Sequence, residues 1–152
     1  MNERYLDGWW RGEMTAEEKI RARCVRKVFK EALRELDVPS KSNPGFEVVV
    51  RHFYSPRSNR GGSYYPQINY VQIELFNPDD ILDEFWNVCR DKGVDAIRIV
   101  EAHAAAHEAR HVWQKTRLGR FKKSYKNFLD EDAEIFAKNF VKSRVDQGKF
   151  RL

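Results

Sequence analysis

Apolar residues along this chain change period several times, and each change marks a predicted element. Val25, Val28, Phe29, Ala32, Leu33 and Leu36 recur at helical spacing. Thr15-Ala-Glu-Glu18 precedes them in the form of a capping box. There a hydroxyl and a carboxylate three residues apart satisfy each other's exposed backbone N–H groups. The pattern predicts a helix to about Asp37, with Lys, Arg and Glu on its other, solvated face. Pro39 and the stretch 41–45 end it. Residues 46–54 are β-branched and aromatic and predict a strand. A polar loop over 55–66, with Arg57, Arg60 and Gly61-Gly62, follows. Residues 67–76 then alternate, with Ile68, Tyr70 and Gln72 on one face and Val71, Ile73 and Leu75 on the other. The two strands and their loop predict a long hairpin.

Asn77-Pro78-Asp79 opens a second helix, with Ile81, Leu82, Phe85, Trp86, Val88 and Cys89 on its buried face and Gly93 at its end. A third helix spans 96–117, with Asp95 as N-cap and Gly119 just past its end. A fourth runs over about 127–145, burying Leu129, Ala133, Phe136, Ala137, Phe140 and Val141. The first 14 residues are aromatic and irregular, and Trp9 and Trp10 pack back on the domain or form a partner surface. No internal repeat or low-complexity tract interrupts the order. The expected fold is α+β, one domain over 1–152, with helices against a small antiparallel sheet.

Composition narrows the class. Of 152 residues, 34% are charged and 41% hydrophobic, which suits a soluble domain with a real core. No apolar run approaches the length that crosses a bilayer, so no membrane partner is expected. The start lacks the basic-then-apolar order of an export signal. Cys24 and Cys89 stand far apart and in no C-x-x-C, so a cytoplasmic location with reduced thiols is expected. The net charge of +5 is uneven. Segment 115–126 carries Lys115, Arg117, Arg120, Lys122, Lys123 and Lys126 with Phe121 and Tyr125 between them and no acid. A nucleic-acid contact has this composition. So does a solvated connector after a helix C-terminus, where cations are favoured, and the lack of any nucleic-acid fold signature favours the connector.

The chemistry sits in the third helix. His107-Glu108-Ala-Arg-His111 matches H-E-x-x-H. Residues four apart share a helix face, so His107 and His111 can offer two imidazole nitrogens to one ion. Glu108 beside them can accept a proton from the attacking water. His103 is a third histidine on the same face. At about 1.5 Å rise per residue it stands roughly 12 Å from His111, too far to share an ion, so it is read as a core or supporting histidine.

A catalytic zinc needs a third ligand and an open position. No histidine follows His111, and the one dense acidic cluster downstream is Asp130-Glu-Asp-Ala-Glu134. Those acids also suit a helix N-terminus without any metal. At about 100° per residue, Asp130 lies near the buried arc, Asp132 and Glu134 on its flanks and Glu131 opposite.

With these motifs the chain resembles the gluzincin zinc metallopeptidases, and most of all their single-domain members, the minigluzincins and ImmA/IrrE-like peptidases. There the downstream helix reads roughly E-x-x-A-(N/D)-x-(F/Y)-A. Residues 130–137 match in register, which implies Asp130 as the third ligand and Glu134 as the group supporting a ligand histidine. The chain departs in having Asp for Glu and Glu for Asp or Asn. A second register makes Glu134 the ligand and leaves Lys138 where an acid or amide belongs. The resemblance covers about 46–145. It implies a zincin-like fold and an edge strand along the cleft, for which Val71–Leu75 is the candidate. The sequence after His111 lacks the metzincin continuation, and the third histidine usual in SprT-like proteases is missing.

The expected function is a zinc-dependent metallopeptidase acting on peptide or protein substrates, with Glu108 as general base. The oxyanion stabiliser is open among Tyr64, Tyr65, Tyr125 and His52. Two alternatives stand beside it: a zincin-like nucleic-acid-associated or regulatory binding module without protease activity, and a purely structural zinc.

Overall fold

A computed structural model describes residues 13–50, 61–119 and 125–152. Among the described residues, four α-helices and three strands form an α+β arrangement: α1 (Ala16–Glu35), β1 (Gly45–Val49), β2 (Gly62–Tyr65), β3 (Tyr70–Glu74), α2 (Asp83–Asp91), α3 (Ala96–Leu118) and α4 (Lys126–Asp146). The caps are those the sequence predicts. Thr15 Oγ1 accepts from Glu18 N at 3.2 Å while Glu18 Oε1 accepts from Thr15 N at 2.8 Å. Asp95 Oδ1 accepts from Ile97 N and Arg98 N, and Gly119 ends α3 at φ 75°, with its N–H on Lys115 O.

The sheet is mixed, not antiparallel. Its order is β1-β3-β2, with β1 parallel and β2 antiparallel to β3. The hairpin closes locally: β2 lies in the stretch that reads as polar loop, and the turn over 66–69 takes the first residues of the predicted second strand, leaving Ile68 exposed. Asn69, at φ 47°, shapes its turn and accepts from Tyr64 Oη at 2.9 Å. β3 thus has one edge left, and β1 fills it in parallel, with Gly45 N on Asn69 O and Leu75 N on Val49 O, both 2.9 Å. This corrects the expected edge strand. Val71–Leu75 belongs to the central strand, where Val71 and Ile73 are fully buried, and β2 is an edge. β1 stops at Val49, and the rest of the predicted strand falls at or outside the end of the described residues.

The second predicted helix also starts later. Asn77 caps a short 3-10 turn over Pro78–Asp80, the chain runs extended at Ile81 and Leu82, and α2 begins at Asp83. On this short helix Cys89 is buried, but Leu82 and Val88 are exposed, since only one narrow side meets Val94, Ala96 and Val145.

α3 is the spine. It packs against α1, α4, β2 and β3, and so buries residues around most of its circumference. Ala102, Ala105, Ala106 and Ala109 on α3 and Ala133 and Ala137 on α4 are at or near zero exposure. These small side chains let helices approach closely. The core is completed by Val25, Val28, Phe29 and Leu33 of α1, Val71 and Ile73 of β3, and Phe140 of α4. The last residues return to the start of α3, with Phe150 buried and its C=O accepting from Asp95 N at 2.7 Å. No helix among the described residues is long and apolar enough to cross a membrane.

Candidate metal centre

The i, i+4 spacing on α3 brings His107 and His111 together, with their Nε2 atoms 3.1 Å apart. What each ring does with its other nitrogen decides the meaning of that contact. Gln114 Nε2 donates to Leu129 O at 2.9 Å and Asp132 Oδ2 at 2.8 Å. Both are acceptors, so the amide orientation is fixed and Gln114 Oε1 faces His111 Nδ1 at 2.8 Å. Nδ1 of His111 therefore carries a proton. His107 Nδ1 lies 3.2 Å from Glu134 Oε2 and donates to it. Burial, and then the neighbouring His111, hold the His107 pKa below its ordinary value, so the ring is neutral and its Nε2 carries a lone pair.

A 3.1 Å approach of two ring nitrogens is met either by a proton on one of them, shared as an N–H···N hydrogen bond, or by a cation bound to both. Ligand atoms on one tetrahedral zinc, with bonds near 2.05 Å, stand about 3.3 Å apart. The donor set and its spacing fit zinc on this ground alone.

Asp130, on the first turns of α4, presents Oδ1 3.2 Å from His111 Nε2. Glu134, one turn on, meets His107 at Nδ1 rather than Nε2. Glu134 also receives His103 Nε2, 3.0 Å from each of its oxygens. Burial works to raise the Glu134 pKa, but the bonds and charges of His103 and His107 outweigh it and hold the group low. The acids of α4 thus divide: Asp130 reaches the His111 nitrogen that faces His107, and Glu134 holds the back of His107. His103 sits behind Glu134, away from His111.

Among the described residues, those whose ligand atoms lie within 4.8 Å of one another form two groups that share His107, one with Glu108 and His111 and one with His103 and Glu134. Asp130 is in neither group and joins the first through His111. Glu108 is buried beside the two imidazoles, and burial, with Asp130 a lesser cause, pushes its carboxyl up to about 8.

The support behind His111 has no counterpart in the sequence reading. Arg110 donates from Nε to Asp132 Oδ2 at 2.8 Å and lies over the Trp113 ring at 3.8 Å. Arg110 is the first cause of the lowered Asp132 pKa. The chain Arg110–Asp132–Gln114–His111 therefore fixes one imidazole as Glu134 fixes the other. Gln114, one turn after His111, was the available signal. Nothing in one dimension pairs Arg110 with Asp132.

β2 passes over the same part of α3. A Cβ built on Gly62 would meet Ile73 Cδ1 at 2.7 Å, Glu108 Cγ at 3.0 Å and the Gln72 carbonyl at 3.1 Å. Gly62→Ala should push β2 off Glu108 and cost about 1–3 kcal/mol. Urea unfolding checks this, and an unchanged midpoint would rule out the close approach. Of the possible oxyanion stabilisers, Tyr64 is bonded to Asn69, Tyr65 is exposed and leans on Tyr70, Tyr125 is exposed, and His52 lies outside the described residues. In the basic segment, Lys115 Nζ closes on Gly119 O and Arg117 lies over Trp113, while 120–124 lie outside the described residues.

Comparison with known protein families, with curated proteins and with solved structures found no match.

Proposed function

We propose that this chain is a zincin-type, zinc-dependent peptidase of the gluzincin kind. The observation that carries the proposal is the approach of His107 Nε2 and His111 Nε2 to 3.1 Å, with each ring held at its Nδ1 by an acceptor behind it. His107, His111 and Asp130 would hold the metal, and Glu134 would orient His107. Asp130 is preferred to Glu134 as third ligand because it reaches a metal-facing nitrogen, whereas Glu134 reaches Nδ1.

Zinc, when bound, supplies a Lewis acid that acidifies water and polarises a peptide carbonyl. The chain does the rest. Glu108 lies buried alongside, takes a proton from the attacking water and passes it to the leaving amine. A cation beside Glu108 favours its carboxylate form and opposes the upward push of burial. Substrate would lie along β2, an edge strand whose Gly62 backbone runs against Glu108, and add to it by main-chain hydrogen bonds.

The test is metal content after purification without added metal or a His-tag, followed by zinc titration. Wild type should hold about one zinc per chain. His107→Ala and Asp130→Ala should lose it. Glu134→Gln should keep the stoichiometry and bind roughly 10–100-fold more weakly. Full zinc in Asp130→Ala would transfer the ligand role elsewhere. A folded wild type that takes up no zinc would end the peptidase reading.

A further inference from the structure

We infer that the outer face of α1 binds the phosphate backbone of a nucleic-acid duplex. Lys19, Arg23, Arg26, Lys27, Lys30 and Arg34 are all exposed. At about 100° per residue they fall within an arc of roughly 100°, a stripe of one sign along most of the helix. The acids of α1 lie outside that arc. Glu31 and Glu35 face Arg144 of α4 at 3.9 and 3.6 Å, and Glu18 folds back on Thr15 N. Among the described residues, none of the six cations makes an ion pair, and Arg26 alone has a ring contact, lying 5.1 Å over Phe46. An ordinary solvated helix face interleaves its charges and pairs them at i, i+4. Here the acids lie to either side of the arc and the cations are left together.

Length and composition select the partner. Lys19 to Arg34 spans about 22 Å at 1.5 Å per residue. Both strands of a duplex wind past a straight stripe of that length, so about five phosphates come within reach of the six cations. A membrane-surface helix would insert an apolar side, but that side of α1 is already in the core with Val25, Val28, Phe29 and Leu33. A protein partner would need an apolar or aromatic anchor within the patch, and Ile20 at its margin is the only exposed large hydrophobic residue on α1. The surface is separate from the candidate metal centre, so this inference stands or falls without the peptidase reading.

The experiment is fluorescence anisotropy with a labelled 20-base-pair DNA duplex and the matching RNA duplex, from 50 to 200 mM salt. Phosphatidylserine vesicles are the third probe. Duplex binding should weaken with a log–log salt slope of about −4 to −5, near −0.9 per phosphate. Arg23→Gln/Lys27→Gln/Lys30→Gln should reduce that slope by about 3 and weaken binding at least tenfold at 50 mM. The melting temperature should hold. If the triple variant is unstable, Lys19→Gln and Arg34→Gln singly should each lower the slope by about 1. Binding to both duplexes or to one of them supports the phosphate contact and says which nucleic acid supplies it. No duplex binding at 50 mM, an unchanged slope in the variants, or binding to vesicles alone would overturn it.

Discussion

Glu108→Gln should abolish peptide hydrolysis, by at least about 10³-fold in kcat/KM, while zinc stays bound. The amide keeps the shape of the side chain but cannot accept a proton. The proposed ligands His107, His111 and Asp130 are untouched, so the zinc titration curve should overlay that of wild type. Residual hydrolysis above about a tenth of wild type would mean that another group is the base. The same variant has a second effect that needs no metal. In the metal-free protein the Glu108 carboxyl titrates at about 8, pushed up by burial and then by Asp130, against an ordinary 4.5. Between these values the folded state holds a proton that the unfolded state has released. Stability therefore falls as pH rises through that window. Gln removes the dependence. Metal-free Glu108→Gln should be more stable than metal-free wild type by roughly 4 kcal/mol at pH 8, at about 1.36 kcal/mol per unit of pKa difference, and the gain should vanish below pH 4.5. Urea melts at several pH values measure it. A pH-independent difference would show that Glu108 does not titrate in this window.

Arg21→Ala should be the most destabilising single change away from the metal centre. Glu101 is 2% exposed on α3 and accepts from Arg21 Nε at 3.2 Å, from Arg21 Nη2, and from Phe76 N at 2.9 Å. Arg21 Nη2 donates also to Phe76 O at 2.7 Å. One ion pair thus ties α1, α3 and the end of β3 together. Burial raises the Glu101 pKa, and Arg21 is the main opposing cause. Removing Arg21 leaves a buried carboxylate with the Phe76 N–H alone. The cost should be about 3–5 kcal/mol at pH 7. For a chain of this size that is a drop of roughly 6–20 °C in Tm. The sign with pH follows. Burial holds Glu101 above its ordinary value in wild type, and loss of Arg21 pushes it higher still, so the loss grows as pH rises. It shrinks as pH falls toward the ordinary carboxylate range, where both folded proteins carry the proton. Arg21→Ala/Glu101→Gln should recover part of the loss, because an amide is far cheaper to bury than a charge. Equal stability of the single and double variants would show that lost packing, not the stranded charge, is the cause.

The helices were legible because their signals are local. A capping box, an Asp N-cap, a C-terminal Gly and apolar residues at 3.6 spacing are read within a few residues, and α1, α3 and α4 begin and end near the predicted places. α2 was legible only in part, since a short helix with one partner buries few of the residues its pattern offers. The sheet was misread for two reasons. Gly62–Tyr65 is too short and too polar to stand out from the loop around it, and register between strands is set by a turn at Asn69 that no alternation reveals. Once β2 took one side of β3, the parallel β1 had to take the other, and the expected edge became the middle.

The sequence by itself determined that two histidines and a glutamate share one turn of α3, because i, i+4 neighbours are fixed by helix geometry whatever surrounds them. It also narrowed the α4 acids to those near the buried arc. Only the tertiary structure decided that Asp130 meets His111 Nε2 while Glu134 meets His107 Nδ1. The same holds for the Arg110–Asp132–Gln114 chain behind His111 and for the Gly62 backbone against Glu108. Those contacts depend on how closely α4 and β2 approach α3. That distance is set by the alanines packed between the helices and by the order of the strands, and neither has a period that a single chain displays.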